Sequence, residues 1–281
     1  MPNIEEVFYT LCPSFEEEDL VLIRNRGSSI FRHLQDIDIY VINNREFIRI
    51  YNLLQSLQQV ANSMGLWAAR RFCRLAAKDI EDIVATGSCH GLFSTGSLCM
   101  RTEFERCDAC YSQRLETFGC VYDQLIRGAS PKMRVLLEKL HEHVEDLVLK
   151  GIIFVQDKTE AELISCWLKE LAEVNQEHFG FLRVEYLAQD PNQVHQFSRR
   201  EEILAEFQNQ QLNILVTTSI VGVQNFSSCT LVILYDPFPS LIESLIFINE
   251  IAFANSKYIL LSSDVVEVTS DDVGIDKENL S

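Results

Sequence analysis

The sequence predicts an α/β protein in which a parallel sheet of about five strands follows an all-helical region. From Gly151 onward, short apolar runs typical of strands buried on both faces alternate with segments of helical spacing. Before Gly151, apolar residues recur at steps of three and four, which is the helical period. Because whole helices separate the strands, the sheet is expected to be parallel, with right-handed connections.

Composition and charge restrict the class of protein. The chain has 281 residues and 47% hydrophobic content, enough for one large or two ordinary domains. No apolar run is long enough to cross a bilayer and the first residues are acidic, so we predict a cytoplasmic protein without membrane contact. Nine scattered cysteines in such a chain favour reduced thiols. A net charge of −17 argues against strong autonomous binding of nucleic acid.

The first part of the chain is predicted to be helical. Residues 1–44 have a mixed pattern and form a segment that leads into the fold. Residues 45–82 have the spacing of two helices that are broken near Gly65. The Gly- and Ser-rich segment 86–98 is predicted to be a loop.

Two further helices precede the sheet. The first is predicted over residues 101–127. The second is predicted from Lys132 to about Val148, with Ser130 as its N-cap and Pro131 in its first turn.

The α/β part contains five predicted strands and an acidic tail. The strands are Ile152–Val155, Leu182–Leu187, Asn213–Thr217, Leu231–Tyr235 and Tyr258–Leu261. The helices that separate them are predicted at 159–175, 201–209 and 241–254. The tail is acidic and poor in aromatics, which predicts disorder. The predicted domains are an N-terminal segment 1–44, a helical domain 45–130, an α/β domain 131–264 and a disordered tail 265–281.

Polar residues follow the strands at the end where α/β folds bind ligands. Thr217, Thr218 and Ser219 follow the third strand, and Asp236 follows the fourth. The sequence has no Gly-Lys dipeptide, and therefore lacks the phosphate-binding loop that NTPases use.

Two motifs could bind a metal, and neither is predicted to do so. Cys107 and Cys110 have the spacing of a zinc-binding pair, but they lie in a helical pattern where cysteines serve as small core residues. His141 and His143 flank Glu142 and cannot share one helix face, so they are predicted to be surface residues.

The best-placed basic pair in the α/β part is Arg199 and Arg200, near a predicted helix start. Two interpretations apply to this pair. It could meet a phosphate together with the helix amides, or it could form ion pairs on the helix surface. We favour the ion pairs.

Three segments carry a resemblance to a known family: GIIFVQDKTEAELISCWLKEL, RREEILAEFQNQQLNILVTTSIV and CTLVILYDPFPSLIESL. In order and spacing they resemble the second RecA-like domain of superfamily 2 helicases of the Dicer type, a group that includes innate-immune RNA sensors. The preceding LLQSLQQVANSMGLWAARRFCRLAAKDI and ASPKMRVLLEKL are similar to the helical insertion of animal Dicers. The resemblance covers about residues 45–264 and implies a RecA-like sheet with an appended helical insertion domain.

The chain departs from the family at the nucleotide site. The degenerate positions are Gly222, Gln224, Asn225, Phe247, Ile251 and Phe253. The family has an acidic pair and Gly-Val-Asp-Ile-Pro where this chain has a shorter loop without an acid. Ile251 and Phe253 occupy the positions of arginines that stabilise the charge developing in phosphoryl transfer. The resemblance therefore implies a site that does not hydrolyse ATP.

The resemblance implies a protein-interaction or dsRNA-end-binding platform in small-RNA processing, without autonomous ATPase or nuclease activity. The implied partners are a dsRNA-binding cofactor protein of the Dicer pathway and dsRNA itself. The candidate residues for the protein partner are Trp67, Arg70 and Arg71. The candidate RNA contacts are Gln156, Thr218, Ser219, Arg199 and Arg200.

A second hypothesis makes the chain an enzyme component. It would be a helicase half that forms an RNA-stimulated ATPase with a separate first RecA-like domain. ATP and magnesium are expected as cofactors only in that case, and otherwise we expect no cofactor and no metal.

Overall fold

The computed structural model describes residues 56–57, 59–85, 92–143, 149–188, 197–218, 229–236, 257–261 and 265–268. The chain divides into two compact units between Arg134 and Val135. We call them the helical unit and the α/β unit. The predicted domain bounds stay predictions, and the segment 1–44 and the predicted helix 241–254 lie outside the described residues.

Four helices lie before the sheet: α1 (Leu66–Ala85), α2 (Leu92–Glu116), α3 (Val121–Arg127) and α4 (Pro131–His141). Residues 59–64 are also helical, and Gly65 separates them from α1, which confirms the predicted break. Helices α1 and α2 pack along each other. The side chains between them are apolar and buried, among them Phe72, Cys73, Phe104, Cys107 and Tyr111.

Gly65 is required by a close backbone crossing inside the helical unit. Its φ is 95°, in the left-handed region that favours glycine. The amide of Trp67 donates to the carbonyl of Gly128 (2.9 Å), and the amide of Ser130 donates to the carbonyl of Met64 (2.9 Å). A Cβ on Gly65 would lie 2.6 Å from the carbonyl oxygen of Gly128. The crossing therefore has no room for a side chain.

Two predictions for the helical part were wrong. The segment 86–98 was predicted to be a loop, but α2 already begins at Leu92. Each residue added to a helix forms one more backbone hydrogen bond. These hydrogen bonds offset the cost of about 1 kcal/mol for Gly96 inside α2. The single helix predicted over 101–127 ends at Glu116, because Gly119 adopts a φ of 105° before α3.

The predicted start of α4 is confirmed. Pro131 is its first residue, and the hydroxyl of Ser130 accepts a hydrogen bond from the amide of Met133 at 3.2 Å. A hydroxyl at this position satisfies one of the helix amides that has no partner within the helix.

Besides the part of α4 from Val135 onward, the α/β unit contains six strands and three helices among the described residues. The strands are β1 (Gly151–Phe154), β2 (Val184–Leu187), β3 (Ile214–Thr217), β4 (Leu231–Leu234), β5 (Lys257–Leu261) and β6 (Val265–Val268). The helices are α5 (Lys158–Val174), α6 (Gln176–Phe179) and α7 (Phe197–Gln208). All five predicted strands are confirmed, and α7 begins four residues earlier than predicted.

The sheet order is β2-β3-β1-β4-β5-β6. The first five strands of this order are mutually parallel, which confirms the predicted RecA-like α/β class. The sixth strand pairs antiparallel with β5, with Ile259 opposite Glu267. Residues 265–268 were predicted to begin a disordered tail, and this was wrong. The backbone groups along β5 form hydrogen bonds that order this segment. Amino-acid composition carries no information about such a pairing.

Helices cover the sheet because the chain reverses direction across it. The connection from β1 through α5 to β2 runs one way, and the connection from β2 through α7 to β3 runs back. Right-handed crossovers in opposite directions place α5 and α7 on opposite faces. Strands β1, β3 and β4 are buried along their whole length, as strands between two helical layers should be.

Candidate functional site at the carboxyl edge of the sheet

The candidate site lies where β1, β3 and β4 end side by side. Phe154, the last residue of β1, pairs with Thr217 on one side and with Leu234 on the other. The amide of Val155 donates to the carbonyl of Thr217 (3.0 Å), and the amide of Tyr235 donates to the carbonyl of Phe154 (2.9 Å). The three strands therefore end at one level, and the residues after them share one edge.

The topology marks this edge as a ligand crevice. After β1 the chain crosses toward β2, on one side of β1 in the sheet. Strand β4 lies on the other side of β1, and after β4 the chain crosses in the opposite direction, toward β5. In open α/β sheets, ligands bind outside the carboxyl ends of neighbouring strands whose connections leave in opposite directions. That point lies between the ends of β1 and β4.

Asp157 organises the segment that follows β1. It is the N-cap of α5, and its Oδ1 accepts hydrogen bonds from the amides of Thr159 (2.7 Å) and Glu160 (3.4 Å). Glu160 is buried in the first turn, where the helix dipole favours a negative charge. Asp157 was not among the residues predicted to have a role. Its signal was the spacing Asp157-x-x-Glu160, which is the pattern of a capping box.

The structure brings three polar side chains to this edge. Gln156 is exposed beside the cap, Thr218 follows β3 and is half-buried, and Asp236 follows β4 and is half-buried. Together with Asp157 they offer an amide, a hydroxyl and two carboxylates, and none of these four groups is cationic. Such an edge can donate and accept hydrogen bonds, but the four groups do not neutralise phosphate charge.

The predicted basic pair lies at the first turn of α7. Arg199 forms ion pairs with Glu202 (3.4 Å) and Glu185 (3.9 Å), and Glu185 also contacts Lys169. Arg200 is half-buried. The surface ion pairs favoured for Arg199 are therefore present, and its guanidinium is shared between two carboxylates.

One candidate for the protein-partner surface is corrected. Trp67 is only 1% exposed, so its ring packs inside the helical unit and is not presented to a partner. The cause is the close crossing at Gly65, which brings residues 128–130 against the start of α1. Arg70 and Arg71 are half-buried, while Arg74 on the same helix forms an ion pair with Asp108 at 2.8 Å.

Of the cysteine pair in α2, Cys107 has the predicted core character, whereas Cys110 is half-buried. Cys107 is 1% exposed and lies beside Cys73 of α1. Burial raises the pKa of the Cys73 thiol well above its usual range, and its hydrogen bond with Cys107 acts in the same direction. Within the described part of the chain, no three His, Cys, Asp or Glu side chains converge in a way that could hold a metal.

The remaining candidate residues belong to parts of the chain that the structure does not describe. They are Ser219 and the degenerate nucleotide-site positions Gly222, Gln224, Asn225, Phe247, Ile251 and Phe253.

Among the residues that are described, no helix has both the length and the apolar character needed to cross a membrane.

Comparison with known proteins gives a family match and similar solved structures, among them the two that follow. Residues 131–259 match the family described as the helicase conserved C-terminal domain. The helicase domain of Pyrococcus furiosus Hef is 19% identical with a TM-score of 0.44, over 89% of this chain and 47% of that one. The C-terminal domain of a Dbp5 variant from S. cerevisiae, bound to a Gle1 variant and IP6, is 21% identical with a TM-score of 0.36.

The match to the Dbp5 domain covers 47% of this chain and 70% of that domain. The match to Hef covers 47% of the Hef structure, so this chain spans about half the length of that structure. No curated protein matches its sequence.

Proposed function

We propose that this chain, whose residues 131–259 form the C-terminal, second RecA-like domain of a superfamily 2 helicase, is a Dicer-like module that no longer hydrolyses ATP. It acts in small-RNA processing as a platform for a dsRNA-binding cofactor protein or for the ends of dsRNA. It binds and positions these molecules, and its partners carry out the chemical reactions.

The observation that carries the proposal is the replacement of both arginine positions by Ile251 and Phe253. An arginine that contacts the transferred phosphoryl group is worth about 10³ to 10⁵ in rate. Hydrophobic side chains cannot supply that charge. The loop containing Gln224 and Asn225, which has no acid, supports the same conclusion.

The edge of the sheet supports a binding role. Buried strands β1, β3 and β4 hold Gln156 and Thr218 on rigid ends, as a binding surface requires. Asp157 already occupies the first amides of α5, so a phosphate has to compete with a carboxylate there. A net charge of −17 further favours protein partners over unassisted RNA binding.

Phosphate release tests the loss of ATP hydrolysis. The chain is assayed alone and mixed with a first RecA-like domain from a Dicer-type helicase, each with and without dsRNA. We expect no dsRNA-stimulated hydrolysis in either case. Stimulated hydrolysis by the wild-type mixture would contradict the proposal and establish the helicase-half alternative, with ATP and magnesium as its cofactors.

A rescue experiment distinguishes two reasons for the absence of ATP hydrolysis: a degenerate catalytic site, or a failure of the two domains to assemble. The double variant Ile251→Arg with Phe253→Arg is expected to gain dsRNA-stimulated hydrolysis in the mixture. The matched control carries lysine at both positions, which restores the charge but not the planar fork of donors. An equal gain from both variants would show that charge alone was missing.

The protein-partner surface is tested by binding to a protein with tandem dsRNA-binding domains. Arg70→Gln with Arg71→Gln is expected to weaken binding about tenfold, the effect of losing roughly 1.4 kcal/mol. Lys78→Gln, exposed on the same helix, is the matched control and should leave binding unchanged. Unchanged binding by the arginine variant would remove this surface from the proposal.

A further inference from the structure

We propose that His141 and His178 form a binding site for one divalent transition-metal ion on the α/β unit. His141 is the last residue of α4, and His178 lies in α6. Their ring centroids are 6.5 Å apart, and the ring planes are inclined by 33°. Both side chains are exposed, so an ion can reach them from solvent.

The spacing of the rings fits a shared ion. Metal–nitrogen distances of about 2.0–2.1 Å place the centroids of two coordinating imidazoles roughly 5 to 6.5 Å apart. The lower part of that range belongs to a tetrahedral angle at the metal and the upper end to nitrogens on opposite sides of it, so the observed 6.5 Å has to shorten by roughly 1 Å for tetrahedral coordination. Small side-chain rotations at exposed positions close this gap.

Asn175 fixes the proton on His178. Its Oδ1 lies 3.1 Å from Nδ1 of His178 and also accepts the backbone amide of His178 at 3.4 Å. An oxygen that faces two nitrogens accepts from both, so Nδ1 carries the proton. The lone pair of His178 is then on Nε2, which is left to coordinate a metal. Metal-bound histidines typically have this kind of supporting acceptor.

The ring of Phe179 lies near both imidazole rings. Its centroid lies 5.7 Å from that of His141 and 6.4 Å from that of His178, and the Phe179 side chain is buried. Glu142, next to His141, is engaged by Lys139 (2.7 Å) and Lys257 (3.5 Å). The carboxylate nearest in sequence to His141 is therefore already paired with lysines.

Two neutral imidazoles suit Zn²⁺, Ni²⁺ and Cu²⁺. With no third protein ligand among the described residues, water completes the coordination, and the site is open to exchange. A bound ion would link the end of α4 to α6 and so stabilise the α/β unit by mass action.

Calorimetric titration of the full chain with Zn²⁺, and separately with Ni²⁺, tests the site. His141→Gln and His178→Gln are each expected to weaken binding at least about tenfold. The double variant measures the background from thiols such as the exposed Cys120. His143→Gln, a histidine two residues from His141, is the matched control and should bind like the wild type.

Asn175→Asp gives a result that a purely structural role would not produce. It keeps the acceptor for His178 and adds a negative charge, so it should tighten metal binding about tenfold. Wild-type binding no stronger than that of the double variant would overturn the proposal, and so would an equal loss in His143→Gln.

Discussion

Asn213 and Arg183 are joined by two hydrogen bonds at the amino edge of the sheet. The backbone amide of Arg183 donates to Oδ1 of Asn213 at 2.8 Å, and the backbone amide of Asn213 donates to the carbonyl of Arg183 at 3.0 Å. Nδ2 of Asn213 donates to the carbonyl of Phe181 at 2.8 Å. One buried side chain thus fixes the segment that leads into β2 against the start of β3.

Replacing this side chain should destabilise the α/β unit. Asn213→Ala leaves the amide of Arg183 and the carbonyl of Phe181 without their partner, and we expect a loss of about 2 kcal/mol in the free energy of unfolding. Urea denaturation followed by circular dichroism measures the loss. Asn209→Ala, an exposed asparagine after α7, is the control and should change stability by less than about 0.5 kcal/mol. Equal effects from the two variants would contradict the prediction.

Gly65 and Gly119 form a matched pair in the helical unit. Both have positive φ, but a Cβ on Gly65 would contact three backbone atoms within 3.0 Å, whereas on Gly119 it would contact one side-chain oxygen at 3.3 Å. Gly65→Ala should cost about 3 kcal/mol or more, since strain and overpacking add. Gly119→Ala should cost about 1 kcal/mol. Similar costs for both variants would show that the backbone at the Gly65 crossing shifts to make room for the added Cβ.

Gln210 offers a stabilising substitution. It is a non-glycine residue with a φ of 60°, just after α7, and the amides of Gln211 and Leu212 turn back to the carbonyl of Glu206. Glycine at this position avoids the left-handed cost, so Gln210→Gly should raise the free energy of unfolding by up to about 1 kcal/mol. Gln211→Gly should give no gain, because positive φ is not found there. A loss of stability in Gln210→Gly would argue against this geometry.

Tyr186 should make stability depend on pH in the alkaline range. Burial, together with the nearby Glu162, Cys166 and Glu185, raises the pKa of Tyr186 to about 12. The folded chain then keeps this proton at pH values where the unfolded chain, with an ordinary tyrosine pKa of about 10, has released it. The contribution is complete below pH of about 10 and is lost as pH rises toward about 12.

Difference titration of tyrosinate absorbance between the wild type and Tyr186→Phe measures this pKa. The difference should contain one group that titrates near 12. A component at the ordinary value for tyrosine would mean that the side chain is more solvated than its surroundings indicate.

The thiols should react in the order of their exposure. Burial raises the pKa of Cys229 to about 12, against a smaller opposite effect of Lys150, whereas Cys120 is exposed. Since the thiolate is the reactive form, iodoacetamide should label Cys120 well before Cys229 under native conditions. Peptide mapping by mass spectrometry gives the order by site. Labelling of both at one rate, without denaturant, would contradict the buried position of Cys229.

The sequence predicted local structure well where one periodicity dominates. The run Ile152–Val155, the helix that follows it and the cap at Ser130 are all found, because each depends on a few neighbouring residues. Prediction failed where a distant contact decides. Composition made residues 265–268 look disordered, but β5 pairs with them. Trp67 suggested an exposed contact, but the crossing at Gly65 encloses it.

The sequence alone determined the alternation of helix and strand, the acidic charge, and the hydrophobic residues Ile251 and Phe253 at arginine positions of the resembled family. Only the tertiary structure decided that β1 lies between β3 and β4, so that Gln156, Thr218 and Asp236 share one edge. It also placed His141 beside His178. The physical reason is that periodicity depends on neighbours along the chain, whereas strand order and side-chain convergence depend on which distant surfaces bury each other.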